Sequence, residues 1–178
     1  APAEAAVAAR LLTERAGSNT WTQVGFCLAG RALMALHQTN EAAEAFAKAV
    51  EIPGNTETRA DAALRLGEIN LALSDYVQAR QFFEEAAGVA ADDSLIGYRV
   101  KAYAGIGRTL KAQGDKAGAV RFFMSVAVLF DDPALVPECL NEAAQLFQEM
   151  GQKEEAKKAW KELAERYPQS PHAKNRQQ

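Results

Sequence analysis

Four columns of residues recur along this 178-residue chain with a single spacing. Phe46, Phe83, Phe123 and Trp160 each stand four residues after an alanine: Ala42, Ala79, Ala119 and Ala156. Twelve residues before each alanine is a small residue, Gly30, Gly67, Gly107 or Ala144. Five before it is a turn-compatible residue, His37, Ser74, Gly114 or Gly151. Every column steps by 37, 40 and 37 residues. Self-similarity at such a period means stacked supersecondary units. The alanine lies one turn before the aromatic on the same helix face. The small residue marks the point on the preceding helix that this face must approach. Each unit is thus a helix–turn–helix hairpin, which cannot bury its apolar face alone and must stack on its neighbours.

The pattern predicts hairpins with helices near 20–36 and 40–52, 57–73 and 76–91, 95–113 and 116–130, and 136–150 and 153–166. An unpaired opening helix is expected over 3–16. Alanine, the strongest helix former, supplies 37 of the residues. Pro53-Gly54-Asn55, Asp92-Asp93-Ser94, Asp131-Asp132-Pro133 and Tyr167-Pro168 break the chain between hairpins. Asp93 or Ser94, and Asp132 before Pro133, read as N-caps.

These columns resemble the tetratricopeptide repeat. The fourth unit reads Leu140, Ala144, Phe147, Gly151, Ala156, Trp160, Leu163, Pro168; the third reads Tyr103, Gly107, Leu110, Gly114, Ala119, Phe123, Val126. Phe26, Gly30, Leu33, His37, Ala42, Phe46 and Ala49 fit the first. The second is the least typical, with Ala63 and Asn70 where larger apolar residues are usual; Asn70 is either a buried polar residue or turned to the groove. The resemblance covers about residues 20–170 and implies an all-α fold, a right-handed α–α superhelix of about four hairpins plus the opening helix. The whole of 1–178 is expected to be one solenoid domain, with units at about 20–55, 56–93, 94–132 and 133–170. The stretch Tyr167-Pro168-Gln169-Ser170 is similar to a junction in bacterial envelope repeat proteins, the Tol–Pal coordinating protein and outer-membrane assembly lipoproteins among them. A bacterial setting, periplasmic or outer-membrane-associated, is therefore expected ahead of the cytoplasm.

Composition excludes several classes. A net charge of −3 gives no argument for nucleic acid. Residues 152–178 carry a local +3 against −6 for residues 1–150, a mildly basic tail that is a contact surface or, more simply, a solvated helix face. No run of 18 apolar residues occurs, so no membrane span is expected. The first residues lack a basic start and a long apolar stretch, so no signal peptide is expected. The missing first Met and the early stop in a further helix point to a piece of a longer array. Cys27 and Cys139 lie three units apart and are expected to remain unpaired. No His/Cys set has zinc spacing, no Walker A loop occurs, and Gly105-Ile106-Gly107 reads as helix packing. His37 reads as a C-terminal helix residue. No acid–base constellation can be assembled, so neither an enzyme nor a cofactor is expected.

What remains is a surface. In the resembled family the first helix of each hairpin lines a concave groove. The corresponding positions are Val24, Cys27, Leu28, Arg31 and Met34 in the first unit, and Asp61, Leu64, Arg65, Glu68 and Leu71 in the second. The third gives Lys101, Arg108 and Lys111; the fourth gives Glu138, Asn141, Glu142, Gln145 and Gln148. A bound peptide would set apolar anchors near Met34 and Leu71, while Arg65, Lys101 and Arg108 would meet an acidic group. Charged positions have the simpler reading of solvation beside this, and Met34 and Leu71 fit packing between units equally well. Phe46, Phe83, Phe123, Trp160, Tyr103 and Phe147 belong to the core by their columns. Trp21 and Tyr98 stand near helix starts and read as cap-packing residues. The expected function is a scaffold for a protein or peptide partner in a multi-protein assembly. The alternatives are an effector-binding sensor solenoid and an oligomerisation module that associates through its open ends.

Overall fold

The computed structural model describes residues 19–174 together with Glu4, Val7 and Leu11. These three are helical; the rest of the expected opening helix lies outside the described residues. Among the described residues from 19 onward there are nine α-helices, one 3-10 turn and no strand. In order they are α1 (Thr20–Ala35), α2 (Thr39–Glu51), α3 (Thr56–Ala72) and α4 (Tyr76–Val89), then the 3-10 turn Asp93–Leu95. There follow α5 (Ile96–Ala112), α6 (Lys116–Leu129), α7 (Leu135–Glu149), α8 (Lys153–Arg166) and the short α9 (Pro171–Lys174). Helix boundaries agree with the sequence reading to within two residues.

Local chemistry fixes the starts. The Asn19 side chain accepts from the Trp21 and Thr22 N–H groups at 2.9 and 3.1 Å. Asn55, Asp75 and Asp115 do the same for α3, α4 and α6, each satisfying a donor that a helix start leaves unpaired. Asp132 accepts from the Ala134 and Leu135 N–H groups at 2.9 and 2.7 Å, as expected. At the preceding junction the capping residue is Asp92, not Asp93 or Ser94: its side chain accepts from the Ser94 N–H at 2.8 Å and starts the 3-10 turn.

The ends are alike in all four hairpins. His37, Ser74, Gly114 and Gly151 have φ of 60°, 62°, 84° and 77°. The N–H of the next residue, Gln38, Asp75, Asp115 or Gln152, donates to the carbonyl five back, on Leu33, Asn70, Leu110 or Phe147, each at 2.9 Å. This is the left-handed closure that satisfies orphan carbonyls and reverses the chain. His37 is thus the turn residue itself, not the end of the helix.

The chain divides into two compact units, Ala1–Arg99 and Val100–Gln178. In the first, α1 packs on α2, α2 on α3 and α3 on α4. Its centre holds Cys27, Phe46, Leu66 and Ile69 with Ala42, Ala49 and Ala62. In the second, α7 packs on α6 and α8, and α9 rests on both α7 and α8. Phe123, Val126, Val136, Leu140, Leu146 and Leu163 are buried there. Each such side chain removed from water contributes about 1.5–3 kcal/mol.

The repeat columns are steric pairs. A Cβ built on Gly30 would lie 2.7 Å from the Phe46 ring; on Gly67 it would lie 2.7 Å from Phe83, and on Gly107 2.6 Å from Phe123. Each glycine is therefore the floor on which the ring of its own hairpin lies. Phe46, Phe83 and Phe123 are buried as expected. Trp160, Tyr103 and Phe147 are only half-buried, because they cover the core from its margin. Asn70 takes neither expected role: it is half-buried, and its amide donates to the Leu66 carbonyl in its own helix at 2.8 Å.

Gln23 is a feature the sequence reading missed. It is fully buried and ties α1 to the loop after α2. Its Nε2 donates to the Ala49 and Ile52 carbonyls at 3.2 and 3.1 Å, and its Oε1 accepts from the Asn55 N–H at 2.8 Å. A polar residue among apolar ones signals nothing by itself; only the loop carbonyls brought against it explain its place.

Candidate functional site

In the first unit, α1, α3 and the first turns of α5 enclose a small cleft of about 130 Å³. Val24, Cys27, Leu28 and Arg31 line it from α1, Glu57, Thr58 and Asp61 from α3, and Tyr98 from α5. Positions from two successive units, Val24, Leu28 and Arg31 with Asp61, thus share one concavity. Leu28 is 52% exposed and Met34 38%; Leu71 is half-buried. Leu64, which the sequence reading set in the groove, is buried and packs between helices instead; Cys27 is also buried but still borders the cleft.

Tyr98 does more than pack against a cap. It rests on the Ala60, Ala90 and Leu95 cluster, and its hydroxyl donates to Glu57 Oε1 at 3.2 Å. A signal for it was present, because Tyr98 lies one helical turn before Lys101 and so shares that groove position's face. Trp21, in the corresponding place on α1, is 73% exposed. The Tyr98 phenol is pushed above its ordinary value, first by burial and then by the Asp61 and Glu57 carboxylates, with Arg31 opposing least. Cys27 donates to Asp61 Oδ2 at 3.4 Å; its thiol is pushed up to about 12, first by burial and then by Asp61.

The charged groove positions are linked to one another. Asp61 meets Arg65 at 3.6 Å and Arg31 at 4.0 Å, and Arg65 also meets Glu68 at 3.0 Å. In the second unit, Arg108 donates to Glu138 at 2.6 Å, Lys111 pairs with Glu142, and Lys116 meets Glu149 at 2.9 Å. Arg31–Asp61 and Arg108–Glu138 are the same pair of repeat positions, a cation late in one first helix and a carboxylate early in the next. Arg65 and Arg108, assigned from sequence to an acidic ligand, thus already face carboxylates. Each such exposed pair contributes about 0–1 kcal/mol, so their effect is on the groove's potential more than on its stability. Lys101 is exposed on α5.

The second unit has a larger cleft of about 640 Å³. Pro133 and Pro137 line one side, and Tyr167, Pro168, Pro171 and His172 the other. Arg166 fastens the junction there: its Nη1 donates to the Ala127 carbonyl at 3.0 Å and to Glu162 at 2.6 Å, while Tyr167 donates to Asp131 at 3.0 Å. Pro168 and Pro171 stand between the end of α8 and the start of α9, the plain structural role of such a pair. Cys139 is buried and unpaired, as is Cys27, and burial pushes its thiol up to about 12 as well. Among the described residues no set of three or more His, Cys, Asp or Glu could hold a metal ion, and no helix is long and apolar enough to cross a membrane.

Residues 25–56 and 142–170 each match the tetratricopeptide-repeat family. Among solved structures the chain resembles MamA, with a TM-score of 0.72 and 19% identity over 90% of this chain and 85% of that one. BtubC from P. vanneervenii gives 0.71 and 15% over 82% and 63%. YrrB, a tetratricopeptide protein with an unusual peptide-binding site, gives 0.65 and 18% over 87% and 74%. Likeness at such identities concerns the fold, which is the all-helical solenoid expected from the columns. A search of curated protein sequences gave no match. Tetratricopeptide repeats as a class are protein-interaction scaffolds, typically without catalytic activity.

Proposed function

We propose that this chain is a non-enzymatic scaffold that binds a peptide or protein segment along the first helices of its hairpins. The observation that carries this reading is the cleft of the first unit, where Val24, Leu28, Arg31 and Asp61 converge from two repeats beside Tyr98. The exposed Leu28 and Met34 offer apolar contact area, and Arg31, Arg65 and Glu68 supply a polar rim. In the second unit Lys101, Arg108 and Lys111 take the corresponding places on α5, opposite Glu138 and Glu142 on α7. The framework is stiff because all four hairpins close with the same turn and three of them share the same ring-on-glycine contact, so a flexible partner bears most of the ordering entropy. A bacterial multi-protein assembly, at the envelope, is the setting we favour; its support is the Tyr167–Ser170 junction alone.

The test is selection from a random short-peptide library against the full chain, followed by titration of a selected peptide into the 15N-labelled protein. Amide shifts should concentrate in α1 and α3, around Leu28 and Asp61. Failure to select any peptide, or shifts confined to α2 and α4, would refute the scaffold reading.

A further inference from the structure

We propose that the cleft between α1 and α3 anchors a basic side chain, lysine or arginine, of the bound peptide. The anchor rests on the reading of the chain as a peptide-binding scaffold and gives that site its ligand chemistry. At about 130 Å³ the cleft admits one long side chain and no larger element.

Its charges decide which side chain. The Asp61 carboxylate is divided between Arg31, Arg65 and the Cys27 thiol. Glu57 is different: it is exposed in the first turn of α3, and among the described residues no cation pairs with it. Its hydrogen-bond partner is the Tyr98 hydroxyl on Oε1, which leaves Oε2 open. The potential inside the cleft is accordingly negative. At both Tyr98 and Cys27 the carboxylates act more strongly than the Arg31 guanidinium does. An incoming anion would meet the uncompensated Glu57 and cations already engaged.

Shape supports the same ligand. Val24 and Leu28 form an apolar wall for the methylene stem of a long basic side chain, whose charged head reaches the polar end. The Tyr98 ring borders that end, and an aromatic face attracts a cation within about 6 Å. Tyr98 is held against Ala60, Ala90 and Leu95, so the cleft is formed before the ligand arrives.

The peptides selected against the wild-type chain test this directly. They should be enriched in lysine or arginine beside apolar residues, and replacing that basic residue with norleucine should weaken binding about tenfold. Glu57→Lys should abolish the enrichment and weaken the wild-type-selected peptides about tenfold or more. Glu57→Gln, which keeps the shape, should give a smaller loss, and thermal melts of both variants confirm folding. Basic enrichment that survives Glu57→Lys overturns the site. Neutral or acidic peptides that still shift α1 and α3 amides overturn the anchor and leave the scaffold reading standing. Selection of no peptide overturns both.

Discussion

Replacing Gly107 with alanine places a methyl carbon 2.6, 2.7 and 3.1 Å from three carbons of the Phe123 ring. Ordinary contact begins at 3.4 Å, so the ring must retreat by about 0.8 Å. Phe123 is 1% exposed and cannot swing into solvent. Overpacking of this kind costs about 1–3 kcal/mol. Alanine in mid-helix returns about 1 kcal/mol of propensity, so the net loss reaches about 2 kcal/mol. Gly88, near the end of α4, is the control: nothing lies within 4 Å of its added Cβ. There the same substitution should stabilise, by about 0.5 kcal/mol. The assay is urea unfolding followed by circular dichroism, where an altered midpoint at constant slope reports stability alone. In a chain of this size 1 kcal/mol corresponds to about 2–4 °C in melting temperature. Gly107→Leu should lose more than about 3 kcal/mol, because the longer side chain has no space to enter. Combining Gly107→Ala with Phe123→Leu should recover about 1 kcal/mol of coupling. If Gly107→Ala proves as stable as Gly88→Ala, the ring does not lie on the glycine and the pairing of the columns is wrong.

Ser74→Gly should stabilise by about 0.5–1 kcal/mol, because Ser74 holds φ at 62° where a side chain is strained; a lower urea midpoint would refute the turn argument. Gln23→Leu should cost about 2–4 kcal/mol, since it strands the Asn55 N–H and the Ala49 and Ile52 carbonyls that Gln23 now satisfies; thermal melts measure it. Both cysteines should be inert to a thiol reagent at pH 8. With values near 12 only about one thiol in ten thousand is ionised, against about one in ten for a thiol at the ordinary value of 9.0. The folded values are raised, so the stability they contribute is fully present below about pH 9 and is lost as pH rises toward 12. Rapid labelling of the folded chain, in place of labelling only on unfolding, would contradict this burial.

The helices, their order and their turns were legible in the sequence, because they depend on interactions local to one hairpin. A glycine twelve residues before an alanine and sixteen before an aromatic is a contact between adjacent helices, and it repeats whenever the hairpin does. Asparagine and aspartate before a helix, and a turn residue after it, act over four or five residues. Even the non-glycine turn residues His37 and Ser74 were marked by sharing a column with Gly114 and Gly151. The site was legible only as a set of positions. Which cations are free was not, because Arg108 meets Glu138 and Arg31 meets Asp61 across about thirty residues, and charge pairing at that range depends on how one first helix lies beside the next. The same stacking buries Leu64, ties Gln23 to a distant loop, and brings Tyr98 to the Glu57 carboxylate. Period and propensity determined the repeating hairpin; the packing of hairpin upon hairpin decided which of its outward-facing residues became core, which became ion pairs, and which were left lining a cleft.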